Sequence, residues 1–411
     1  MPLPKFTKDF GAPDQMPPAA IERVNQLLSS GRLFRYQHES NDDVELLEGE
    51  FAQYIGSRYC VCVSSGGAAL FLSLYALRLK LGLPEGAPVL VSAFTLTPVP
   101  SSVVHAGLKP VFVECGGEDL ALDVEDLRKR ARETGAKVLL LSYMRGRVPQ
   151  MDVVLAAASE LNLTIVEDCA HTLGSTRGGK HFGTFGATGC FSFQTNKAIN
   201  AGEGGAIVTD DPEIAGRTVL LSGSYGYFSR NGTKLPVEQV AKMYPSTPNF
   251  SSRMTNLAAA LVRPQLLGLD EKVRSWNQHY AVLASGLRQH CPEIFIPVEQ
   301  ADVVPARSSA QFSIPSMDAR ATEALTRELG ARGVKVAWFG RPEWLGFTST
   351  VRHWEYAGKQ DAALPETVSR QAGLLDLPLY HTNLWSDDDF RLLAAHVGEA
   401  VRLVQGSSAK L

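Results

Sequence analysis

The chain has 411 residues, 45% of them hydrophobic and 20% charged, a composition typical of globular proteins that excludes disordered and fibrous chains. A chain of this length can bury two hydrophobic cores, so we expect two domains. The net charge of −3 provides no general attraction to nucleic acid or to an anionic membrane. We therefore expect small-molecule partners and no nucleic acid.

The start of the chain is rich in proline and charge, MPLPKFTKDFGAPDQ, and lacks the apolar core of a secretion signal. No later apolar run approaches membrane-spanning length, so we expect a soluble, cytoplasmic protein with no membrane partner. Six cysteines are spread over the chain without a CxxC pair, a pattern that indicates neither a zinc site nor a disulfide framework. We expect no metal site.

Residues 1–20 are predicted to form an N-terminal arm that must lie on another surface to be ordered. Such arms often cross a subunit interface. Two amphipathic helical patterns follow it, at 17–31 and 42–56. The first has proline at its start and glycine at its end, as helices favour.

A β-rich run from Tyr59 passes through a Ser-Ser-Gly-Gly turn directly into a long helical pattern. The backbone N–H groups of Gly67 and Ala68 would be unpaired at the first helical turn, where the helix dipole adds positive potential. A phosphate would fit there. The alternative is an ordinary strand-to-helix turn, in which Ser64 and Ser65 only cap the helix.

Strand and helix patterns then alternate over residues 87–171, which predicts a mostly parallel sheet covered by helices on both faces. Ligands in such sheets gather at the carboxyl ends of the strands, and Phe94 and Asp168 fall at those ends. A buried carboxylate such as that of Asp168 needs a partner, and a protonated pyridinium nitrogen is one. The alternatives are a helix cap or a loop salt bridge for Asp168, and simple core packing for Phe94.

The stretch FSFQTNKAINAGEGGAIVTDD, residues 191–211, places a lone lysine and a glycine cluster between two strand-like runs. Lys197 therefore lies on a constrained connection. An amine whose pKa is lowered by its surroundings can form a Schiff base with a carbonyl, as in pyridoxal enzymes, and Ser192 could bind a phosphate oxygen. The alternative is one of the many solvated lysines in a loop between strands.

The second half of the chain begins with an irregular stretch, residues 221–254, whose length is typical of functional or mobile loops. Long helical patterns at 256–289, with a possible kink at Pro264, precede a small β-α-β pattern at 308–338 and a final strand and helix. We predict an arm at 1–20, a large cofactor-binding domain at 21–265 and a smaller C-terminal α+β domain at 266–411.

Five stretches occur in an order and spacing that resemble the DegT/DnrJ/EryC1/StrS family of pyridoxal-phosphate aminotransferases. They are SSGGAAL, VSAFTLTPVPSSVVHAGLKPVFVE, VEDCAHTLGS, FGTFGATGCFSFQTNKAINAGEGGAIVTDD and SSRMTNLAAAL. The resemblance covers residues 20–270 strongly and the remainder by layout. It implies an α/β fold of the aspartate aminotransferase kind, fold type I, with pyridoxal 5'-phosphate as the cofactor.

The resemblance also implies roles for the residues around the cofactor ring. Lys197 matches the Schiff-base lysine, and Asp168 matches the carboxylate that keeps the pyridine nitrogen protonated. Phe94 matches an aromatic residue stacked on the ring, and His171 matches a position beside the ring's hydroxyl. A lysine in place of the histidine found in dehydratase relatives favours transamination.

The cofactor phosphate is matched by a second group of residues. Ser192 corresponds to a phosphate-binding serine, and Gly66, Gly67 and Ala68 correspond to the phosphate turn. The family commonly has Gly-Thr where this chain has Gly66-Gly67, a change that loses one hydroxyl contact and keeps the backbone donors.

Two departures concern the substrate side. The family's Asn-Tyr-Arg-Met motif, whose asparagine reaches the phosphate of the neighbouring subunit, is Ser-Ser-Arg-Met here, so either Ser251 or Asn249 would take that role. The run SYMRGRVPQMD replaces a common His-Leu-Tyr-Gly opening, and in it Arg145 and Arg147 are either solvated surface residues or anion binders.

These features predict a homodimeric aminotransferase of antibiotic or polysaccharide biosynthesis, with active sites at the subunit interface. Glutamate or glutamine would donate the amino group to a ketone or aldehyde of a sugar, cyclitol or secondary-metabolite intermediate. The alternatives are a dehydratase or eliminase of the same fold and a catalytically silent, pyridoxal-binding regulator.

Overall fold

The computed structural model describes residues 3–37, 41–117, 119–298 and 300–408. Residues 1 and 2 of the predicted arm and 409–411 of the predicted C-terminal domain lie outside this part. The strands are β1 (Tyr59–Val63), β2 (Pro88–Ser92), β3 (Lys109–Val113), β4 (Cys115–Gly116), β5 (Ala121–Leu122), β6 (Val138–Ser142), β7 (Thr164–Asp168), β8 (Thr176–Arg177), β9 (Lys180–His181), β10 (Thr188–Ser192), β11 (Gly205–Thr209), β12 (Val303–Val304), β13 (Ser309–Phe312), β14 (Ala337–Trp338) and β15 (Leu375–Pro378).

The helices alternate with these strands through the first half of the chain and dominate its end. They are α1 (Pro18–Ser30), α2 (Asp43–Ile55), α3 (Gly66–Leu81), α4 (Pro98–His105), α5 (Val124–Thr134), α6 (Met151–Glu160), α7 (Pro212–Ser222), α8 (Val237–Met243), α9 (Asn256–Leu267), α10 (Leu269–His290), α11 (Ala319–Ala331), α12 (Pro365–Ala372) and α13 (Asp387–Ser408).

A seven-stranded sheet organises the first half of the molecule, in the order β1-β11-β10-β7-β6-β2-β3. All neighbouring pairs from β10 to β3 are parallel, whereas β11 runs antiparallel to both β1 and β10. The strands are almost continuously apolar because helices cover both faces of the sheet, and one buried hydrophobic cluster lies on each face. The predicted α/β fold with a mostly parallel sheet is confirmed.

The antiparallel direction of β11 follows from its connection to β10. Only twelve residues separate the two strands, and this connection carries no crossover helix of the kind that joins parallel strands. The chain therefore turns back on itself, and Lys197 lies within the turn.

The C-terminal part has its own sheet, in the order β13-β15-β14, and its own hydrophobic cluster. Helices α10 and α13 pack against each other in this cluster. The break before α10 falls at Gly268, near the predicted boundary at 265/266; the domain boundaries themselves stay a prediction.

The N-terminal segment packs on this C-terminal cluster of its own chain. Phe6 and Phe10 are buried in it, and their rings contact Trp385 with centroids 5.4 and 4.9 Å away. Lys8 pairs with Asp389 at 3.0 Å. Within the described residues, the arm thus packs on the C-terminal cluster, which is a surface of the kind that the sequence analysis expected it to need.

No helix in the described ranges has the length and apolar character needed to cross a bilayer. All six cysteines are buried and form no disulfide with one another. Among the described residues, no group of three or more His, Cys, Asp and Glu is arranged to hold a metal ion.

Candidate active site

A cavity of about 420 Å³ opens at the carboxyl edge of the central sheet. The turns after β1, β6, β7 and β10 converge on it, because parallel strands present their carboxyl ends at one edge. Several residues singled out from the sequence line it together: Gly66, Gly67, Asp168, His171, Ser192 and Lys197.

Lys197 is half-buried, with its side chain open to the cavity. Its Nζ lies 2.8 Å from Nε2 of His171. Loss of solvation, and then the positive charge of Arg145, lower the pKa of Lys197 from 10.5 to about 7, although the charge of Asp168 opposes this. A substantial share of the amine is therefore neutral and nucleophilic at neutral pH.

His171 is neutral in the same environment. Burial, together with the charges of Lys197 and Arg145, lowers its pKa well below its ordinary value. A neutral imidazole has one nitrogen that accepts a hydrogen bond and one that donates. His171 can therefore hold the lysine nitrogen in place without repelling its protonated form.

Asp168 ends β7 and is 5% exposed. Its Oδ2 accepts a 2.7 Å hydrogen bond from Ser142 Oγ, and its Oδ1 accepts one of 3.2 Å from the Ala170 N–H. Burial nevertheless raises the pKa of this carboxyl. No described lysine, arginine or histidine forms an ion pair with Asp168, so a cationic group entering the cavity would complete its environment.

The turn from β1 into α3 requires glycine at position 66. A Cβ there would lie 2.6 Å from Cβ of Ser192, whereas one at Gly67 would meet nothing nearer than 3.8 Å. The close approach of Gly66 to Ser192 places the start of the helix beside the serine hydroxyl. The cavity wall thus offers a helix N-terminus and a hydroxyl side by side, which suits a phosphate.

Ala68, predicted to belong to the phosphate turn, has its N–H occupied: it donates to Oγ of Ser65 at 3.0 Å. Ser65 is the N-cap of α3, as the alternative interpretation of this segment expected. The residues of the turn that line the cavity are Ser65, Gly66 and Gly67.

Phe94, the predicted stacking residue, does not line this cavity. It is 2% exposed, and its ring packs edge-on against Phe339 with centroids 5.4 Å apart. Simple core packing, the alternative drawn from the sequence, describes this position. Leu96, two residues further on, does line the cavity, and the sequence analysis missed it.

Asn249 and Ser251 do not line the cavity; they are exposed, as is Tyr225, and lie beside the half-buried Arg253. Asn249 Oδ1 accepts a hydrogen bond from the Ser251 N–H at 2.9 Å, and the Arg253 guanidinium lies 5.0 Å from the Tyr225 ring centroid. Their predicted contact with a neighbouring subunit's phosphate stays a prediction.

Arg145 is a further member of the site that the sequence left undecided. Its side chain is only 10% exposed, and its Nε lies 3.2 Å from Oδ2 of Asp376. It lines the cavity together with Lys197, so it is not a solvated surface residue. Its left-handed backbone, with φ of 57°, is an unusual conformation for a non-glycine residue, and such conformations concentrate at functional sites.

Solved structures with the same fold are aminotransferases and related synthases. The chain superimposes on 3-amino-5-hydroxybenzoic acid synthase with a TM-score of 0.81 and 23% identity, over 96% of this chain and 99% of that one. It also superimposes on DesI, solved in the presence of its TDP-sugar product, with a TM-score of 0.79 and 24% identity over 99% and 97%. At these identities the likeness shows the fold.

The family follows from a stronger match. The model of the DegT/DnrJ/EryC1/StrS aminotransferase family matches residues 15–394, so the chain belongs to this family. Its aminotransferases are pyridoxal-phosphate enzymes. The predicted resemblance is confirmed.

Two curated relatives show what the family does elsewhere. GDP-perosamine synthase of Vibrio cholerae is 32% identical over 232 residues, or 56% of this chain and 59% of that protein. L-glutamine:2-deoxy-scyllo-inosose aminotransferase of Streptomyces lividus is 27% identical over 402 residues, or 93% of this chain and 92% of that one. The match to the first relative thus spans about three fifths of its length.

Proposed function

We propose that this protein is a pyridoxal-phosphate-dependent aminotransferase that moves an amino group from glutamate or glutamine to a carbonyl of a sugar or cyclitol intermediate. The observation that carries the proposal is the presence, in one cavity, of a lysine of lowered pKa and a buried carboxylate that forms no ion pair with any described residue. The names of the relatives, which act on sugar and cyclitol intermediates, support the class of acceptor.

The described residues fit the cofactor. The Gly66 and Gly67 backbone and the Ser192 hydroxyl would hold its phosphate, and Asp168 would hold a proton on its pyridine nitrogen. When bound, pyridoxal phosphate supplies an electron sink for the charge left when the Cα proton of an amino donor is removed. Asp168 strengthens that sink, since a fixed anion favours the protonated ring.

Lys197 would transfer the proton that is removed from Cα of the amino donor. Its amine is partly neutral at neutral pH because its pKa is about 7, and a base works best when its pKa lies near the operating pH. It would accept the proton from Cα of the donor and deliver it to the C4′ carbon of the cofactor. His171, at 2.8 Å, would orient the amine between these two positions.

The proposal is tested by replacing the lysine. The variant Lys197→Ala should lose the visible absorption of lysine-bound cofactor and all turnover, whereas Lys180→Ala, at an exposed lysine, should retain both. The spectra are recorded before and after adding L-glutamate and, separately, L-glutamine. Full activity in Lys197→Ala, or no cofactor absorption in the wild-type protein, would contradict the proposal.

The proposal includes a homodimer in the cytoplasm, with active sites shared between subunits. The ground for the dimer is the predicted contact of Asn249 or Ser251 with a neighbouring subunit's phosphate: both residues are exposed and neither lines the cavity of its own chain. Both features stay predictions.

A further inference from the structure

The turn that carries Lys197, residues 193–204 between β10 and β11, is fixed on one side by helix α9. The Asn200 N–H donates a 3.0 Å hydrogen bond to Oε1 of Gln265, and Nε2 of the same glutamine donates one of 2.7 Å to the Asn200 carbonyl oxygen. This pair of bonds holds the part of the turn that follows the lysine.

The part of the turn that precedes the lysine is held from the C-terminal part of the chain. The Asn196 side chain lies with its Oδ1 3.1 Å from Nε2 of His381. An amide oxygen only accepts hydrogen bonds, so Nε2 of the imidazole donates this one. Within the described residues, it is the only hydrogen bond that joins residues 194–196 to the C-terminal part.

His381 makes this contact as a neutral group. Burial is the largest influence on its imidazole and lowers the pKa below the ordinary 6.5, although the charge of Asp14 opposes this. A neutral imidazole still has one N–H to donate. His381 therefore orients Asn196 without adding a positive charge beside Lys197.

His381 is itself held in place. It is 8% exposed and lies just beyond β15, where the Thr382 hydroxyl donates to the Leu379 carbonyl oxygen at 2.7 Å. Two residues after it, Asn383 Nδ2 donates to Oδ2 of Asp14 at 2.9 Å, so the N-terminal arm also fixes this segment. A residue can position another only when its own place is fixed, and His381 meets that condition.

The place of Asn196 determines the place of Lys197, the next residue in the chain. Both residues line the cavity. Both of their N–H groups bond to Gln194, that of Lys197 to the carbonyl oxygen and that of Asn196 to Oε1, each at 2.9 Å. A displacement of Asn196 would therefore carry the lysine with it, and Nζ would leave its place 2.8 Å from His171. A misplacement of about 1 Å can cost a reaction about a hundredfold in rate.

We propose that His381 is a positioning residue, which holds the turn through Asn196 so that the Lys197 amine stays inside the cavity beside His171. This inference rests on the proposed function, in which Lys197 is the reacting amine. The alternative is a contact that only stabilises the fold. The two differ at the lysine nitrogen, which a purely stabilising contact would leave unchanged.

The experiment measures the pKa of Lys197 in the full-length, cofactor-free protein by NMR, with lysine labelled with ¹³C at its ε-carbon and the resonance identified by Lys197→Ala. Burial is the largest cause of the low pKa, about 7, so an amine released from its place should titrate closer to 10.5. We expect His381→Leu and Asn196→Ala each to raise this pKa by about 0.5 to 1, since one hydrogen bond contributes about that much free energy.

Three further variants separate position from stability. The double variant of His381→Leu and Asn196→Ala should raise the pKa of Lys197 no more than either change alone, because both remove the same bond. His381→Gln places an amide nitrogen where Nε2 was and should keep the pKa near 7. His396→Leu removes another buried histidine, whose Nε2 lies 2.9 Å from the Pro4 carbonyl oxygen, and should reduce stability without changing Lys197.

The inference is wrong if Asn196→Ala leaves the pKa of Lys197 unchanged, if the two changes add in the double variant, or if His396→Leu raises the pKa equally. A wild-type pKa near 10.5 would also overturn it, because the amine would not be held inside the cavity. Asn196 is half-buried and outside the C-terminal cluster, so Asn196→Ala decides the question even where His381→Leu fails to fold.

Failure of the proposed function gives a different result. It is detected by cofactor absorption and turnover, whereas the NMR titration needs neither cofactor nor substrate. The position of Lys197 can therefore be measured whether or not the protein is an aminotransferase.

Discussion

The amine of Lys197 has the pKa that its reaction requires because Arg145 and burial act on it together. Burial disfavours the ammonium form, and the guanidinium repels it, so the pKa falls to about 7. Below this pH the lysine is protonated and does not attack a carbonyl; above it the neutral amine does. The reactivity of the lysine should therefore rise with pH through about 7 rather than through its ordinary value of 10.5.

This pH dependence is measured on cofactor-free protein as the rate at which a small aldehyde is trapped on Lys197 by reduction. Arg145→Gln should move the midpoint to higher pH and slow the trapping at neutral pH, since it removes a charge that lowers the pKa. Arg145→Lys keeps the charge and serves as the control. A midpoint near 10.5 in the wild type would show that Lys197 lies in a more solvated site. No shift in Arg145→Gln would show that the guanidinium does not lower the pKa of Lys197.

The approach of Gly66 to Ser192 gives a second prediction for a single residue. Gly66→Ala should weaken cofactor binding by about 1–3 kcal/mol, because its Cβ would lie 2.6 Å from that of Ser192 and overpacking costs that much. Gly67→Ala adds the same methyl group where space exists and should be tolerated. Cofactor titration by absorption compares the two, and equal affinities would contradict the role of this contact.

Residue types in sequence were enough to predict that Lys197, Asp168, His171 and Ser192 lie together, because each lies at or just beyond the carboxyl end of β7 or β10, two neighbouring parallel strands. They were not enough for Phe94. The direction of a side chain just past a strand depends on the loop, and Phe339, the partner of Phe94, lies more than two hundred residues away in the chain. Long-range packing of this kind leaves no periodic signal.

At the level of elements, the end of β7 shows how one strand serves both stability and chemistry. Successive side chains of a strand point to opposite sides, so Asp168 lines the cavity while Glu167 is fully buried. Glu167 accepts hydrogen bonds from the Tyr143 hydroxyl at 2.7 Å and from the Gly183, Phe185 and Gly186 N–H groups at 2.9, 2.7 and 2.6 Å. It fixes the loop that connects β7 to β10.

Glu167→Ala should therefore lower the free energy of unfolding by about 3 kcal/mol or more, because several buried donors lose their acceptor. Asp168→Asn should leave stability nearly unchanged and remove activity. Glu238→Ala, at an exposed glutamate, is the control for loss of a carboxylate. Denaturant unfolding of the three variants checks this, and a stable Glu167→Ala protein would contradict the structural role.

Helix ends were predicted correctly from the sequence where a capping residue marks the end of the helix. The helix predicted at 42–56 is α2, whose N-cap Asp42 accepts from the Glu45 N–H at 2.9 Å. The long pattern at 256–289 instead divides at Gly268, four residues after the proline considered as a kink. Pro264 stays inside α9, so proline spacing alone did not locate the break.

At the scale of the whole molecule, the N-terminal segment packs on the C-terminal hydrophobic cluster, far away in sequence. The sequence indicated that residues 1–20 need a surface, and for the described residues that surface is the chain's own C-terminal cluster. The surface on which such an arm docks depends on the shape of a core that is distant in sequence, and so it could not be predicted.

Phe10→Ala should lower the free energy of unfolding by about 3–5 kcal/mol, the usual cost of removing a buried aromatic ring, since Phe10 is 4% exposed. Phe34→Ala removes the same ring from a position that is 43% exposed and should cost much less. Chemical denaturation is followed by tryptophan fluorescence, to which Trp385, the residue that Phe10 contacts, contributes. Equal losses in the two variants would show that the arm does not stabilise the C-terminal part.

The docking of the arm also has a consequence for how the chain is made. His396 Nε2 lies 2.9 Å from the carbonyl oxygen of Pro4, 392 positions earlier. A ribosome releases Phe6 and Phe10 long before it has synthesised α13, so these rings have no docking site while the central sheet can already form. The nascent chain thus displays two aromatic side chains until α13 has been synthesised, and the C-terminal cluster is completed by residues that were translated long before it.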